Sequence, residues 1–179
     1  MKRKIYALVF LAGMLIPGLL MAQFAQQGSK IFGSGGDASS FQGSSVAISS
    51  DGNTAVVGGI YDNTQQGAIW IFTRNGGVWT QQGTKLSGTG GSGDFSYQGY
   101  SVAISSDGNT IIEGGWRDNT DTGAAWIFTR NAGAWAQQGS KLVGSGAVGG
   151  QILQGTSVAI SSDGNTALVG GSGDNGTGA

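Results

Sequence analysis

The chain has 179 residues, 36 of them glycine, with nine basic and ten acidic side chains and neither histidine nor cysteine. Without histidine it lacks the commonest general base and metal ligand, and without cysteine it has no disulfide framework, no thiolate chemistry and no lipidated cysteine. Past the first four residues it has no basic run, which argues against nucleic acid or an anionic membrane as partner.

Lys2, Arg3 and Lys4 precede an apolar stretch over residues 5–21, broken only at Pro17 and Gly18. That layout predicts a secretory signal peptide over 1–22, cleaved after Ala22, with Ala25 as the fallback. The uninterrupted apolar run is short for a membrane span of roughly 20 residues. Cleavage leaves residues 23–179 with six basic against ten acidic side chains. The expected location is outside the cytoplasm: secreted, at the cell surface or periplasmic, with no membrane insertion after cleavage.

The remainder is an array of one unit. The ten residues Ser-Val-Ala-Ile-Ser-Ser-Asp-Gly-Asn-Thr begin without change at Ser45, Ser101 and Ser157, a period of 56. A strict period of this length marks a solenoid or propeller. It also explains the glycine content: the glycines recur at equivalent turn and close-packing sites, whereas aperiodic glycine enrichment would mean disorder. Gln26-Gln27-Gly28 returns at Gln81 after 55 residues, so the linker before Gln42 is one residue shorter than its counterparts, as a loop tolerates.

Taken in chain order, residues 24–31 match the fourth strand of a unit. Residues 45–49 alternate as a first strand, and Asp51-Gly52-Asn53 supplies a hairpin turn. Residues 54–59 are a second strand ending in paired glycines, which suit close approach of a neighbouring backbone. Residues 68–73 are apolar on both faces, as in a strand buried on both sides. Asn75-Gly76-Gly77 is the next turn, and residues 78–86 turn polar, as suits an outer edge strand. Four antiparallel strands grading from apolar to polar describe a β-propeller blade. No run has helical spacing. The expected organisation is an all-β partial propeller: an outer strand over 24–31, blades over 43–86 and 99–142, and a partial blade over 155–179.

The repeated pattern of the ten-residue motif, a Gly-Gly pair, Asp-Asn, and then Gly-Ala-Ala-Trp-Ile-Phe-Thr-Arg at residues 123–130 resembles the bacterial FG-GAP repeats, related to the blades of the integrin α-chain propeller. The resemblance covers essentially everything after the signal peptide. It implies a propeller of about seven blades and a role in extracellular binding or adhesion. Integrin-type blades often carry a calcium loop with several acidic residues. Ser49-Ser50-Asp51-Gly52-Asn53 offers one carboxylate, so calcium binding does not carry over and no metal or other cofactor is expected.

Two blades, a half blade and a spare strand do not close a ring of four to eight blades, so further blades of a longer chain are expected, with homo-oligomeric closure as the alternative. In an up-and-down blade the short turns at Asp51, Asn75, Asp107 and Asn131 share one face. The opposite face gathers the longer loops that differ between units, and exposed binding residues commonly sit on such loops. There we expect Trp116, Arg117, Tyr61 and Tyr97 to contact a ligand, with Phe95 and Tyr100 nearby. Trp116 stands out because Ile60 and Ser172 replace it in the other units. Trp70, Trp126, Trp79 and Trp135 fall at strand positions and read as core. The Asp62-Asn63 pair reads as a loop cap made by local side-chain bonds. No catalytic constellation emerges, and Glu113, the only glutamate, lies within a strand. The expected function is a non-catalytic binding or adhesion scaffold for an extracellular protein or carbohydrate. The alternative is part of a propeller enzyme acting on extracellular polysaccharide.

Overall fold

A computed structural model describes residues 25–92 and 95–174. The expected signal peptide, residues 1–22, lies outside the described residues, as does the end of the expected partial blade at 175–179.

The protein is all-β. Strands β1 (Gln42–Ile48), β2 (Thr54–Gly59), β3 (Ala68–Asn75) and β4 (Val78–Gln81) form one antiparallel meander in sequential order. Strands β5 (Ser101–Ile104), β6 (Thr110–Gly115), β7 (Ala124–Asn131) and β8 (Ala134–Gln137) form a second, and β9 (Gln154–Ile160) pairs with β10 (Ala167–Gly171) as a hairpin. The registers repeat: Val57 faces Trp70 as Glu113 faces Trp126. These are two four-stranded blades and the inner half of a third.

Successive blades stack. Blade 1 presents Val56, Ile69 and Ile71 from its back, and blade 2 answers from its front with Ile111, Ala124, Trp126 and Phe128 in one buried cluster. The inner strands are also tied by polar contacts made twice. Ser45 Oγ donates to Gly99 O at 2.6 Å, and Ser101 Oγ to Gly155 O at 2.8 Å. Ser50 N donates to Ser106 O, and Ser106 N to Ser162 O. The close approach requires glycine, since a methyl group on Gly58 or Gly114 would run into the carbonyl of Gly99 or Gly155.

Two expectations about strand extent need correcting. The fourth run is not continuous over 78–86: β4 ends at Gln81, Gly83 takes a positive φ of 75°, and pairing resumes only at an isolated bridge between Ile69 and Leu86. Residues 25–31, expected as an outer strand, carry no strand. Their pairing partner would be the third strand of a preceding blade, which the described residues do not supply. The segment still occupies an outer strand's place: Arg74 Nη1 donates to Gln27 Oε1 at 3.0 Å as Arg130 Nη1 donates to Gln82 Oε1 at 3.1 Å.

Two four-residue helical turns, α1 (Asp62–Gln65) and α2 (Asp118–Asp121), interrupt the β-structure. They are left-handed rather than ordinary helix. Asn63, Thr64 and Gln65 have φ of 49°, 57° and 69°, and Asn119, Thr120 and Asp121 have 52°, 55° and 65°. Side chains in this region cost roughly 1–2 kcal/mol each, so something outside the turn must hold it.

Candidate functional site

What holds each turn is a buried aspartate. Asp62 is fully buried. Its Oδ1 accepts the amide of Asp37 at 2.8 Å, its Oδ2 is ion-paired with Lys85, and its carbonyl accepts the amide of Gly67 at 2.9 Å. In blade 2, Asp118 accepts from Ser92 N at 2.7 Å and Ser96 Oγ at 3.1 Å, and it pairs with Lys141. Asn63 does bond locally, to Gln66, but the Asp62 bonds reach 25 and 23 residues away. They join the turn, the preceding linker and the segment after β4, so this aspartate is a long-range clasp where local capping was expected.

A second clasp orders each linker. Gln98 Nε2 donates to Gly88 O at 2.9 Å while its Oε1 accepts from Gly88 N at 2.5 Å, and Gln42 and Gln154 do the same to Gly33 and Gly144. Trp126 lies flat against Gly88 and donates its Nε1 to Thr89 O at 2.9 Å; Trp70 repeats this on Gly33 and Ser34. Trp70 and Trp126 are therefore core, as expected. Trp79 and Trp135 are only half-buried and lie under the guanidinium groups of Arg74 and Arg130.

The turns and linkers together build one aromatic row on the variable-loop face. Ring centroids lie 4.6 Å apart for Phe41 and Tyr61, 5.5 Å for Tyr61 and Tyr97, 5.5 Å for Tyr97 and Trp116, and 6.0 Å for Trp116 and Tyr100, every pair edge to face. Such pairs add to the stabilisation from area burial. Arg117 lies over Tyr97, Trp116 and Phe95 at 5.1, 5.6 and 5.8 Å from the ring centroids. It also donates to the Tyr97 hydroxyl at 3.2 Å and to Asp121 at 3.3 Å. The Tyr97 hydroxyl and then Asp121 raise its pKa, so it stays charged.

The four sequence-predicted contact residues, Trp116, Arg117, Tyr61 and Tyr97, thus meet in one cluster. Their accessibility differs. Tyr97 is 9% exposed, a middle rung held by its own donation to Gln65 Oε1, while Tyr61, Trp116 and Arg117 are half-buried. The open aromatic surface comes from Phe41, Phe95 and Tyr100. Phe41 escaped the sequence reading. Its signal is the repeat position it shares with Tyr97 and Leu153, all three at positive φ just before the Gln-Gly pair.

The opposite face is built of structural turns. Asp51 Oδ1 accepts from Ser49 Oγ and Asn53 N, and Asp107 and Asp163 repeat the arrangement. The serine hydroxyl first, then the asparagine amide, holds each carboxyl below its ordinary range. Among the described residues there is no group of three or more acidic side chains placed to hold a metal ion, and no helix is long and apolar enough to cross a membrane.

The chain matches no known protein-family model, and no curated protein matches it.

Proposed function

We propose that this chain is an exported, non-catalytic binding or adhesion module of FG-GAP-like blades, with an extracellular protein or carbohydrate as ligand. The observation that carries the reading is the aromatic row from Phe41 to Tyr100 with Arg117 over it, displayed on one face by two clasped turns. Aromatic and arginine side chains supply large contact area with a polar handle, and they dominate binding hot spots. The rigid β-scaffold supports the reading, since loops held by such a scaffold are the usual carriers of recognition.

The test is hydroxyl-radical footprinting against a panel of extracellular glycans and proteins. A bound ligand shields Phe41, Tyr100 and Trp116 from labelling. Turnover of a defined polysaccharide, abolished by one point change, would instead make the protein an enzyme.

A further inference from the structure

Among the described residues, four hairpin turns place a glycine directly after an aspartate or asparagine: Asp51-Gly52, Asn75-Gly76, Asp107-Gly108 and Asp163-Gly164. In such a pair the glycine nitrogen can attack the side-chain carbonyl carbon and close a succinimide ring. Glycine favours the step because it has no β-carbon to crowd the nitrogen or to hinder rotation of the peptide. The three aspartates are guarded against it twice. The amides of Gly52, Gly108 and Gly164 donate to the carbonyls of Ser49, Ser105 and Ser161 at 2.9, 3.0 and 3.0 Å, which fixes each peptide plane. Each carboxylate also accepts from a serine hydroxyl and an asparagine amide. Those bonds keep it ionised, and an ionised carboxylate is a poor electrophile.

Asn75 has neither guard. Among the described residues the Gly76 amide has no hydrogen-bond acceptor, and the side-chain bonds nearby run from Arg74 to Asn53 and Gln27 and bypass Asn75. Asn75, Gly76, Gly77 and Val78 are all exposed, with Gly76 and Gly77 at φ of 55° and 84°. This exposure belongs to the turn and not to the place of blade 1 in the array. Blade 2 has blade 1 packed before it and the β9–β10 hairpin after it, and Asn131 through Ala134 are exposed all the same. The two turns differ at the attacking residue: Ala132, at φ of 49°, stands where blade 1 has Gly76.

We infer that Asn75 is a site of spontaneous deamidation, converted in the folded chain through a succinimide to aspartate and isoaspartate. The Gly76 nitrogen forms a bond to Asn75 Cγ and loses its proton. The bond from Cγ to the side-chain nitrogen breaks, and ammonia leaves. Water then opens the ring: cleavage at Cγ leaves aspartate, and cleavage at the main-chain carbonyl carbon leaves isoaspartate. Either product adds a negative charge. Isoaspartate also carries the main chain through its β-carbon, which lengthens β3 by one backbone atom at the residue paired with Val78. Arg74 and Trp79, the next pair, lose their register and their cation–π contact, so the outer strand β4 loosens. The site lies on the short-turn face, and the inference stands apart from the aromatic row.

The test is incubation of the full chain in mildly alkaline heavy-oxygen water, followed by peptide mapping with mass spectrometry. Heavy oxygen enters a side chain only where the ring has formed and reopened. Asn75 takes up the label at least about tenfold faster than Asn131, a barrier difference of about 1.4 kcal/mol. Asp51, Asp107 and Asp163 take up none while the chain is folded. Gly76→Ala gives blade 1 the turn of blade 2 and slows Asn75 to the rate of Asn131. Ala132→Gly does the reverse and brings Asn131 up to the rate of Asn75. Circular dichroism checks that both variants are folded. An Asn75 that stays unlabelled in the folded chain while the urea-unfolded chain converts would overturn the inference. So would labelling of the three aspartates as fast as Asn75, or an asparagine whose rate ignores the residue after it.

Discussion

Lys141 reaches in from the segment after β8 to pair with Asp118, a carboxylate with no exposed surface, while the lysine side chain keeps 18% of its own. Lys85 and Asp62 repeat the pair 56 residues earlier. The pair fastens the outer edge of each blade to the left-handed turn that carries Tyr61 or Arg117, so structure and candidate site share one ionic contact.

Replacing Asp118 with alanine should therefore cost roughly 3 kcal/mol, the scale for removing one partner of a buried pair. It strands the Ser92 amide, which donates to that carboxylate, and frees the turn at Asn119, Thr120 and Asp121 to leave the left-handed region. Denaturant unfolding measures the loss. A change below about 1 kcal/mol would show that the turn is held by its backbone bonds instead.

Glu113 sets a pH dependence. It is fully buried on the same face of β6 as Ile111, and both carboxyl oxygens lack a partner. Burial pushes its pKa from the ordinary 4.5 to about 8, opposed only by the Gly88 amide, which donates to Gln98 Oε1 instead. Below pH 4.5 the group is protonated in both folded and unfolded chains. Between the two values the unfolded chain has lost the proton and the folded chain keeps it, so stability falls as pH rises and levels off above about 8. The decline is on the order of 5 kcal/mol. Val57 and Val169 occupy the equivalent positions, so Glu113→Val should abolish the decline. An unchanged pH profile in that variant would assign the dependence to another group.

Glycine at the blade seam gives a contrast between two otherwise similar substitutions. Gly114→Ala drives a methyl group against Gly155 O and Ser101 Oγ, whereas Gly150→Ala meets nothing within 4 Å. The first should cost at least about 1–3 kcal/mol, as overpacking does, and the second should stay within about 0.5 kcal/mol. Equal thermal midpoints for the two variants would mean that the blades separate freely enough to admit the methyl group.

The repeat made much of this architecture legible. Strand β2 falls at 54–59 as the valine-rich run indicated, and the Asp-Gly-Asn and Asn-Gly-Gly turns sit where hairpin chemistry places them. Gathering Tyr61, Tyr97, Trp116 and Arg117 on one face followed from the alternation of connections along the blade. What escaped was set by contacts distant in sequence. Nothing local in Asn63-Thr64-Gln65 announces a left-handed turn, because threonine is disfavoured there and the clasp that compensates comes from Lys85 and Asp37. Residues 25–31 have a strand-like sequence, but strand geometry depends on a partner that the sequence pattern of the segment alone does not provide.

Trp116 and Arg117 form the most distinctive part of the aromatic row, since no other unit repeats them, and their joint removal separates the two faces as binding surfaces. Trp116→Ala with Arg117→Ala deletes the ring between Tyr97 and Tyr100 and the cation above it. It leaves Asp118, Lys141 and the Gln98 clasp in place, so the blade stays folded and the loss falls on recognition. Binding of the ligand found by footprinting should weaken by roughly 1–3 kcal/mol. Asp51→Ser and Asp107→Ser, on the short-turn face, should leave affinity unchanged while slightly loosening the turns that Ser49 and Ser105 brace. Calorimetric titration of both pairs of variants makes the comparison. If affinity fell with the aspartate changes and survived loss of Trp116 and Arg117, the contact would belong to the opposite face, and the aromatic row would be a seam between blades and nothing more.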